Sequence, residues 1–147
     1  MAPLESGEAE MVMGSRMMES GAARRGGMPL YKFIGNRILT FIQNGLVRQR
    51  FSEFHSGYRA YSVEALRTIN LDSCSDNWHF DTQIILEFLR RGYSIREVPI
   101  PTYYGDEICR VNGIPYALNC ILVTATFALR NRFRTLRGLR TPSRPTK

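Results

Sequence analysis

The 147-residue chain contains three cysteines, Cys74, Cys109 and Cys120, without a Cys-x-x-Cys pair or a Cys/His cluster. Such a widely spaced, odd-numbered set supports neither a zinc site nor a disulfide framework. A reducing, cytoplasmic compartment is the simplest inference. The stretch from Met1 to Gly7 also lacks the cationic segment followed by an apolar segment that is typical of a secretory signal.

Long uninterrupted apolar runs are scarce as well. Hydrophobic residues make up 44% of the chain, which is too many for a disordered protein and too interrupted for a membrane protein. The apolar part from Ala117 to Leu129 falls short of the ~20 residues that a membrane-spanning helix needs, and Asn119 interrupts it. The length suffices for one ordinary domain with a single core.

Acidic residues are absent from the last eighteen positions, although the whole chain carries a formal net charge of +7. A basic tail of this kind suits an anionic partner, either membrane lipid or nucleic acid. The chain has no nucleic-acid-binding motif, and its arginines are not interleaved with aromatic residues, so no nucleic-acid partner is predicted. The basic side chains are those of Arg130, Arg132, Arg134, Arg137, Arg140, Arg144 and Lys147.

The hydrophobic periodicity predicts an α/β fold, in which the strands share one sheet and the helices pack on it. Two prolines, Pro99 and Pro101, either confine the last strand to an edge of that sheet or force it out of the sheet. The predicted strands are Glu8 to Gly14, Tyr58 to Tyr61 and Ser94 to Val98. The predicted helices are Pro29 to Gln49, a short helix capped by Ser62, Asp81 to Arg91 and a helix from Ile114 onward; Met17 to Gly27 and Thr102 to Gly113 are predicted loops.

The stretch from Phe51 to Tyr61 concentrates the polar chemistry of the sequence. Phe51 and Phe54 can anchor a loop on an apolar surface, and Ser56-Gly57 forms a break where backbone can approach a ligand closely. His55, Ser56 and Arg59 fall within five residues at a loop-to-strand junction. The alternative interpretation is a hairpin with a few solvated polar groups.

The C-terminal helix has an apolar stripe that continues into the basic tail. One interpretation is an amphipathic helix that lies in a membrane interface with its arginines against anionic lipid. The other is a core helix with a solvated basic end. The stripe consists of Leu118, Ile121, Leu122, Ala125, Leu129, Phe133 and Leu136.

Five segments follow one another in an order that is more specific than any one of them: Met11 to Arg16, Gly27 to Lys32, Phe54 to Ser62, Phe80 to Ile84 and Glu97 to Gly105. Together they resemble the back half of a family 2 glycosyltransferase, of the branch that includes dolichyl- and polyprenyl-phosphate sugar transferases. The resemblance implies a partial GT-A-like (Rossmann-like) sheet flanked by helices. Residues 1–113 would form the acceptor-side half of a catalytic domain, and residues 114–147 an amphipathic helix with a basic tail.

The resemblance also implies an activity for the intact protein, which is sugar transfer from a nucleotide-sugar donor to a polyprenyl-phosphate or similar acceptor in the cell envelope. In this family a front half supplies the nucleotide-binding strands and an Asp-x-Asp motif that holds a divalent metal, Mg or Mn. No Asp-x-Asp occurs in this chain. The expectation is therefore that the N-terminal half and the metal ligands are missing, and that these 147 residues alone are inactive.

The resemblance suggests which residues face the acceptor. Arg16 and Lys32 would face the phosphate of a lipid carrier, because charge-assisted donors hold a phosphate monoester best. Ser56 and Gly57 would line the cleft near the reacting groups. Arg59 would either hold phosphate or brace its strand.

Two residues are candidates for the catalytic base. His55 would lie in the cleft beside Ser56, and Asp81 would reach it from a helix terminus, but the sequence does not decide which of them, if either, is the base. Glu107 is placed in the loop over the cleft. The alternative function is a non-catalytic basic module that associates with membrane or nucleic acid, and the expected location is the cytoplasm or the cytoplasmic face of a membrane.

Overall fold

A computed structural model describes residues 2–105 and 112–136 of the chain, with the side chains at 2 and 134–136 left out. Within those residues the chain forms three strands, six α-helices and one 3-10 turn. The elements are α1 (Ala2–Glu5), β1 (Met11–Ser15), α2 (Ala22–Arg25), α3 (Leu30–Val47), β2 (Arg59–Tyr61), α4 (Val63–Arg67), the 3-10 turn (Leu71–Ser73), α5 (Phe80–Arg90), β3 (Ile95–Pro99) and α6 (Gly113–Leu136).

The three strands form one mixed sheet in the order β2-β1-β3. β2 is antiparallel to β1, with Met13 opposite Arg59, and β3 is parallel to it, with Ser15 opposite Pro99. All five residues of β1 are buried, as expected for a central strand with both faces covered. The predicted α/β class, the shared sheet and the edge position of β3 are confirmed, and this sheet is compatible with part of a Rossmann-like fold. β1 itself lies later than predicted, ending at Ser15 and not at Gly14.

The hydrophobic core lies between the sheet and α5. Ile84, Ile85 and Phe88 of α5 are buried there, together with Met11 and Met13 of β1. Each fully buried side chain of this size contributes about 1.5–3 kcal/mol to stability. The predicted helix is confirmed, and it ends before Gly92, whose φ of 74° is in the left-handed region that glycine tolerates best.

Helix α3 turns its apolar stripe outward. Its buried residues are Leu39, Thr40 and Gln43, two of which are polar. The exposed stripe recurs at three- and four-residue steps, and its members are Leu30, Ile34, Ile38 and Phe41. The periodicity therefore predicts the helix correctly, but the face that it presents to the core is the opposite one.

Helix α6 has the same inverted pattern. Its buried residues are Cys120 and Thr124, while its exposed apolar residues are Ile114, Leu118, Leu122, Leu129 and Phe133. The helical segment Gly113–Phe133 has 21 residues and, by length and composition, is apolar enough to cross a membrane. Only 11% of its most apolar 18-residue stretch is buried in the fold. This corrects the expectation that the region is too short to span.

The segment between β1 and α3 contains a short helix, α2, where a loop was expected. The segment packs closely on residues 102–104, because a side chain at Gly26 would bring its Cβ to 2.1 Å from the carbonyl oxygen of Thr102. The amide of Tyr104 donates to the carbonyl of Gly26 at 2.8 Å. Glycine at position 26 therefore allows two segments beside β1 to meet. The predicted loop from Thr102 is irregular as far as residue 105, where the first described range ends.

Candidate functional site

Three chain segments converge beyond the end of β1. Arg16 follows β1 directly, as the sequence predicted. Because β2 is antiparallel and β3 parallel to β1, β2 begins and β3 ends where β1 ends, at one edge of the sheet across its strands. The loop between α3 and β2 (residues 48–58, called here the central loop) and residues 100–105 therefore meet Arg16. Ligands of open α/β sheets collect at such an edge.

The centre of this edge is an ion pair between Arg16 and Glu53 of the central loop. The Glu53 side chain has no exposed surface, and its carboxylate accepts hydrogen bonds from the backbone N and the Nε of Arg16 at 2.8 and 3.0 Å, and from its Nη2. Asn36 of α3 donates to the same carboxylate at 2.7 Å. Nη1 of Arg16 donates to the hydroxyl of Tyr104 at 2.9 Å, and Nη2, which also binds Glu53, donates to the carbonyl of His55 at 3.1 Å.

The ion pair keeps Arg16 charged in a partly buried position. Burial alone lowers the pKa of Arg16, but the hydrogen bond and the negative charge of Glu53 raise it above its ordinary value. The positive charge is thereby matched by one carboxylate. Sequence reasoning missed Glu53, although an acidic residue between the two anchoring aromatics Phe51 and Phe54 was a signal that it is buried and paired.

The central loop is fastened at its start by two polar contacts. The amide group of Asn44 both donates to the carbonyl of Phe51 and accepts from its N–H, at 2.7 and 2.9 Å. Glu97 of β3 accepts from the backbone N–H groups of Ser52 and Glu53, at 2.8 and 3.2 Å. Phe54 is buried in the core, so its predicted anchoring role is confirmed. The loop is thus held against the sheet from two sides.

Lys32 of α3 supplies positive charge at this edge. Its Nζ lies 5.1 Å from the centroid of the Tyr104 ring, a cation–π contact, and the residue is half-buried. Among residues 2–105 and 112–136, no carboxylate forms an ion pair with it. Lys32 therefore differs from Arg16, because its charge is not already matched by an acidic partner in the described part of the chain.

His55 has hydrogen-bond partners at both ring nitrogens. Its Nδ1 lies 2.8 Å from the hydroxyl of Tyr116 on α6, and its Nε2 lies 2.7 Å from Oε1 of Gln43 on α3. Burial, and then the positive charges of Arg59 and Arg16, lower the pKa of His55 to about 3. The imidazole is therefore neutral at physiological pH and engaged on both sides.

Ser56 and Gly57 differ in their accessibility. Ser56 is buried, and its hydroxyl accepts from the N–H of Tyr58 at 3.2 Å. Gly57 is exposed, and a Cβ placed there would meet no other atom within 4 Å. The space above Gly57 is therefore open, as a ligand approaching the backbone would require.

Arg59 and Asp81 form a second ion pair near His55. Nη1 of Arg59 lies 2.6 Å from Oδ1 of Asp81, and its Nη2 donates to the carbonyl of Phe54 at 2.8 Å. The Arg59 side chain is 4% exposed, whereas that of Asp81 is 46% exposed. Arg59 therefore braces the central loop against α5. Its predicted role in phosphate binding stays a prediction.

The described residues do not fit the divalent metal that the resemblance implies for an intact enzyme. Within ranges 2–105 and 112–136, no three His, Cys, Asp or Glu side chains are grouped so that they could hold a metal ion. The carboxylates nearest the site, those of Glu53, Glu97 and Asp81, are engaged by arginine or by backbone donors. Glu107, predicted to lie over the cleft, is outside the described residues.

Comparison with known proteins identifies relatives of most of this chain. An uncharacterized protein of Methanocaldococcus jannaschii is 37% identical over 66% of the chain, which corresponds to 39% of that protein. The low-salt glycan biosynthesis hexosyltransferase Agl6 of Haloferax volcanii is 36% identical over 71% of the chain and 24% of its own length. The UDP-N-acetylglucosamine–dolichyl-phosphate N-acetylglucosaminyltransferase of Methanococcus voltae is 29% identical over 71% of the chain and 41% of its own length.

The matched region is glycosyltransferase-like. The chain spans roughly a quarter to two fifths of the length of these relatives, from 24% to 41%. No protein-family model matches the chain. No solved structure matches it at a significant level.

Proposed function

We propose that this chain is the acceptor-side part of a family 2 glycosyltransferase with a GT-A-like sheet, which transfers a sugar from a nucleotide-sugar to a polyprenyl phosphate. Residues 1–113 would form the acceptor side and residues 114–147 a membrane-associated helix and tail. Sequence outside these 147 residues would supply the nucleotide-binding half and the Mg²⁺ or Mn²⁺ ligands. The relative from Methanococcus voltae, a dolichyl-phosphate N-acetylglucosaminyltransferase, supports a lipid-phosphate acceptor.

The observation that carries the proposal is the position of Lys32 beside Tyr104 at the edge where Arg16 follows β1. An anion at this edge would meet Lys32, which has no ion-pair partner among the described residues, part of the Arg16 guanidinium, and the open space above Gly57. Charge-assisted donors favour a phosphate monoester over a neutral hydroxyl. The chemistry of the site thus points to an anionic acceptor.

A phosphate acceptor also removes the need for a catalytic base in this chain. The second pKa of a phosphate monoester is about 6, so most of it is doubly ionised at neutral pH and already nucleophilic. In the proposed step an acceptor phosphate oxygen forms a bond to the sugar C1, and the bond from C1 to the donor diphosphate breaks. A neutral His55 with both nitrogens engaged and an Asp81 paired with Arg59 accord with this.

The lipid acceptor requires contact with a membrane, and we assign that contact to the outer face of α6. This face exposes Leu118, Leu122 and Phe133, with Arg130 and Arg132 also exposed on the helix. An apolar stripe beside cations is typical of a helix lying in an anionic membrane interface. Each cation near such a surface contributes ~1 kcal/mol to binding.

Flotation of the full chain with liposomes tests the membrane contact and the acceptor together. We expect weak binding to neutral vesicles and stronger binding to vesicles containing phosphatidylglycerol, which falls at 1 M salt because the Debye length shrinks to about 3 Å. Polyprenyl phosphate at the same charge density should bind the chain more tightly than phosphatidylglycerol does. The double variant Leu118→Ser/Leu122→Ser should lose flotation.

Val63→Ser is the matched control, because Val63 is 56% exposed but belongs to α4 and not to α6. It should float like the unchanged chain. Equal binding to neutral and anionic vesicles, or full binding by the double variant on α6, would refute the membrane contact. Equal binding to the two anionic lipids would refute specific recognition of the polyprenyl phosphate and favour a non-catalytic membrane-associated module.

A further inference from the structure

A chain of directed hydrogen bonds joins the central loop to α3 and α6. The hydroxyl of Thr124 lies 2.6 Å from the carbonyl oxygen of Cys120, and a carbonyl only accepts, so Thr124 must donate its one proton there. Nε2 of Gln43, 3.0 Å from the same hydroxyl, is then the donor to Thr124. The amide oxygen of Gln43 consequently faces His55.

This direction fixes the tautomer of His55. Its Nε2 must carry the proton, because it lies 2.7 Å from an amide oxygen that can only accept. Its Nδ1 is then the acceptor for the hydroxyl of Tyr116, at 2.8 Å. One imidazole therefore needs both helices in place to satisfy its two polar atoms.

The contact between α6 and the rest of the molecule has polar residues at its fully buried positions, where most helix contacts have apolar ones. Cys120 and Thr124 are its fully buried residues among those described, and Cys120 lies 3.5 Å from the hydroxyl of Thr82 on α5. The large apolar side chains of α6 are either exposed, as Leu118 is, or half-buried, as Phe127 is. Directional hydrogen bonds therefore contribute much of the specificity with which α6 is placed.

We propose that His55, as its Nε2–H tautomer, is a positioning residue that fastens α6 to the central loop, so that the placement of α6 sets the conformation of Ser56 and Gly57. Loss of any one of these hydrogen bonds, from Tyr116 through His55 and Gln43 to Thr124, leaves a buried polar atom without its partner. Such a loss disfavours the docked position of α6. As far as the proposed membrane contact holds, binding of α6 to a membrane would also change the conformation of the proposed acceptor site beyond the end of β1. The positioning itself does not depend on which ligand that edge binds.

The reactivity of the Cys120 thiol reports on the docking of α6. Cys120 has no exposed surface, so a thiol reagent reaches it when α6 moves away. The experiment uses the full chain with Cys74→Ser and Cys109→Ser, which leaves Cys120 as the one thiol, and follows labelling under native conditions. Thr124→Val should accelerate labelling about tenfold, because Gln43 loses its acceptor.

Thr126→Val is the matched control on the same helix. The hydroxyl of Thr126 also donates to a carbonyl four residues earlier, that of Leu122 at 2.8 Å, but Thr126 is exposed. Its labelling rate should stay within about twofold of the parent's.

Tyr116→Phe, which removes one hydroxyl, should accelerate labelling about as much as Thr124→Val does. Hydrogen exchange at the amides of Ser56 and Gly57 should be faster in both variants than in the parent.

Nitrogen NMR of the imidazole tests the tautomer independently of any change in folding. We expect a proton on Nε2 and a bare Nδ1 for His55, assigned by comparison with His79→Gln. A proton on Nδ1, or an imidazolium at neutral pH, would overturn the proposal. So would equal labelling rates for Thr124→Val and Thr126→Val in variants whose urea midpoints show that both are folded.

Discussion

Replacing Glu53 by glutamine is expected to lower the free energy of unfolding by about 3 kcal/mol, the lower end of the range for breaking a buried ion pair. The substitution keeps the shape of the side chain but removes its charge. Arg16 would then be left partly buried without its carboxylate, and the amide NH2 would face donors from Arg16 and Asn36. Urea denaturation of the purified chain measures the change.

Two variants sharpen this prediction. Glu8→Gln makes the same chemical change at an exposed position and should shift stability by less than about 0.5 kcal/mol. Arg16→Met combined with Glu53→Gln should cost less than the sum of the single changes, because neither partner is then left charged and alone. Additive effects, or a loss for Glu53→Gln no larger than for Glu8→Gln, would show that the ion pair does not hold the central loop.

Acidification is expected to destabilise the fold through His55. In the unfolded chain a histidine titrates near its ordinary pKa of about 6.5, whereas the folded site holds the pKa of His55 at about 3. Between these values the unfolded state binds a proton that the folded state does not. This contribution to stability is therefore fully present above pH 6.5 and is lost as the pH falls, by up to about 1.4 kcal/mol per pH unit.

The groups around His55 give the physical cause. Burial disfavours the charged imidazole, Arg59 and Arg16 both add positive charge near it, and Asp81 offsets part of the charge of Arg59. Gln43 and Tyr116 engage the two ring nitrogens of the neutral form. An added proton would thus be buried among cations, without an acidic partner in the described contacts of the imidazole.

Unfolding free energies of the parent and of His55→Gln, measured between pH 5 and 7, test this prediction. The unfolding free energy of the parent should rise more steeply with pH than that of His55→Gln, because His55 takes up a proton on unfolding in this range. Few carboxylates titrate between pH 5 and 7, so their contribution to either slope is small. Identical slopes for the parent and His55→Gln would show that His55 takes up its proton equally in both states.

The sequence predicts the elements of this fold better than it predicts the faces they bury. The stripe on α3 from Leu30 to Phe41 identifies a helix, yet these residues are exposed and Gln43 is buried. Periodicity shows that one face is apolar, but does not show whether core, solvent or lipid lies against that face. For the same reason, the apolar stripe of α6 predicts a helix but does not predict that Thr124 is buried and the stripe exposed.

The candidate site is predictable where its residues lie in one segment and not where distant segments meet. Arg16 follows a predicted strand, the stretch from His55 to Arg59 is one short run of polar groups, and the resemblance to a known family gives both a role at the acceptor. The partner of Arg16 is 37 residues away, and the partner of Gln43 on α6 is 81 residues away. Such contacts depend on tertiary packing, which a local pattern does not contain.

Photo-crosslinking with a polyprenyl phosphate that carries a photoreactive group beside its phosphate tests the proposed acceptor site most directly. We predict adducts on residues 28–32 and 55–58 of the full chain, which polyprenyl phosphate should suppress and polyprenol should not. Lys32→Ala should reduce these adducts about tenfold or more, the loss of one charge-assisted contact, whereas Arg37→Ala, at an exposed position on the same helix, should not. Adducts confined to the outer faces of α3 and α6, equally suppressed by polyprenol, would contradict an acceptor-phosphate site beyond the end of β1.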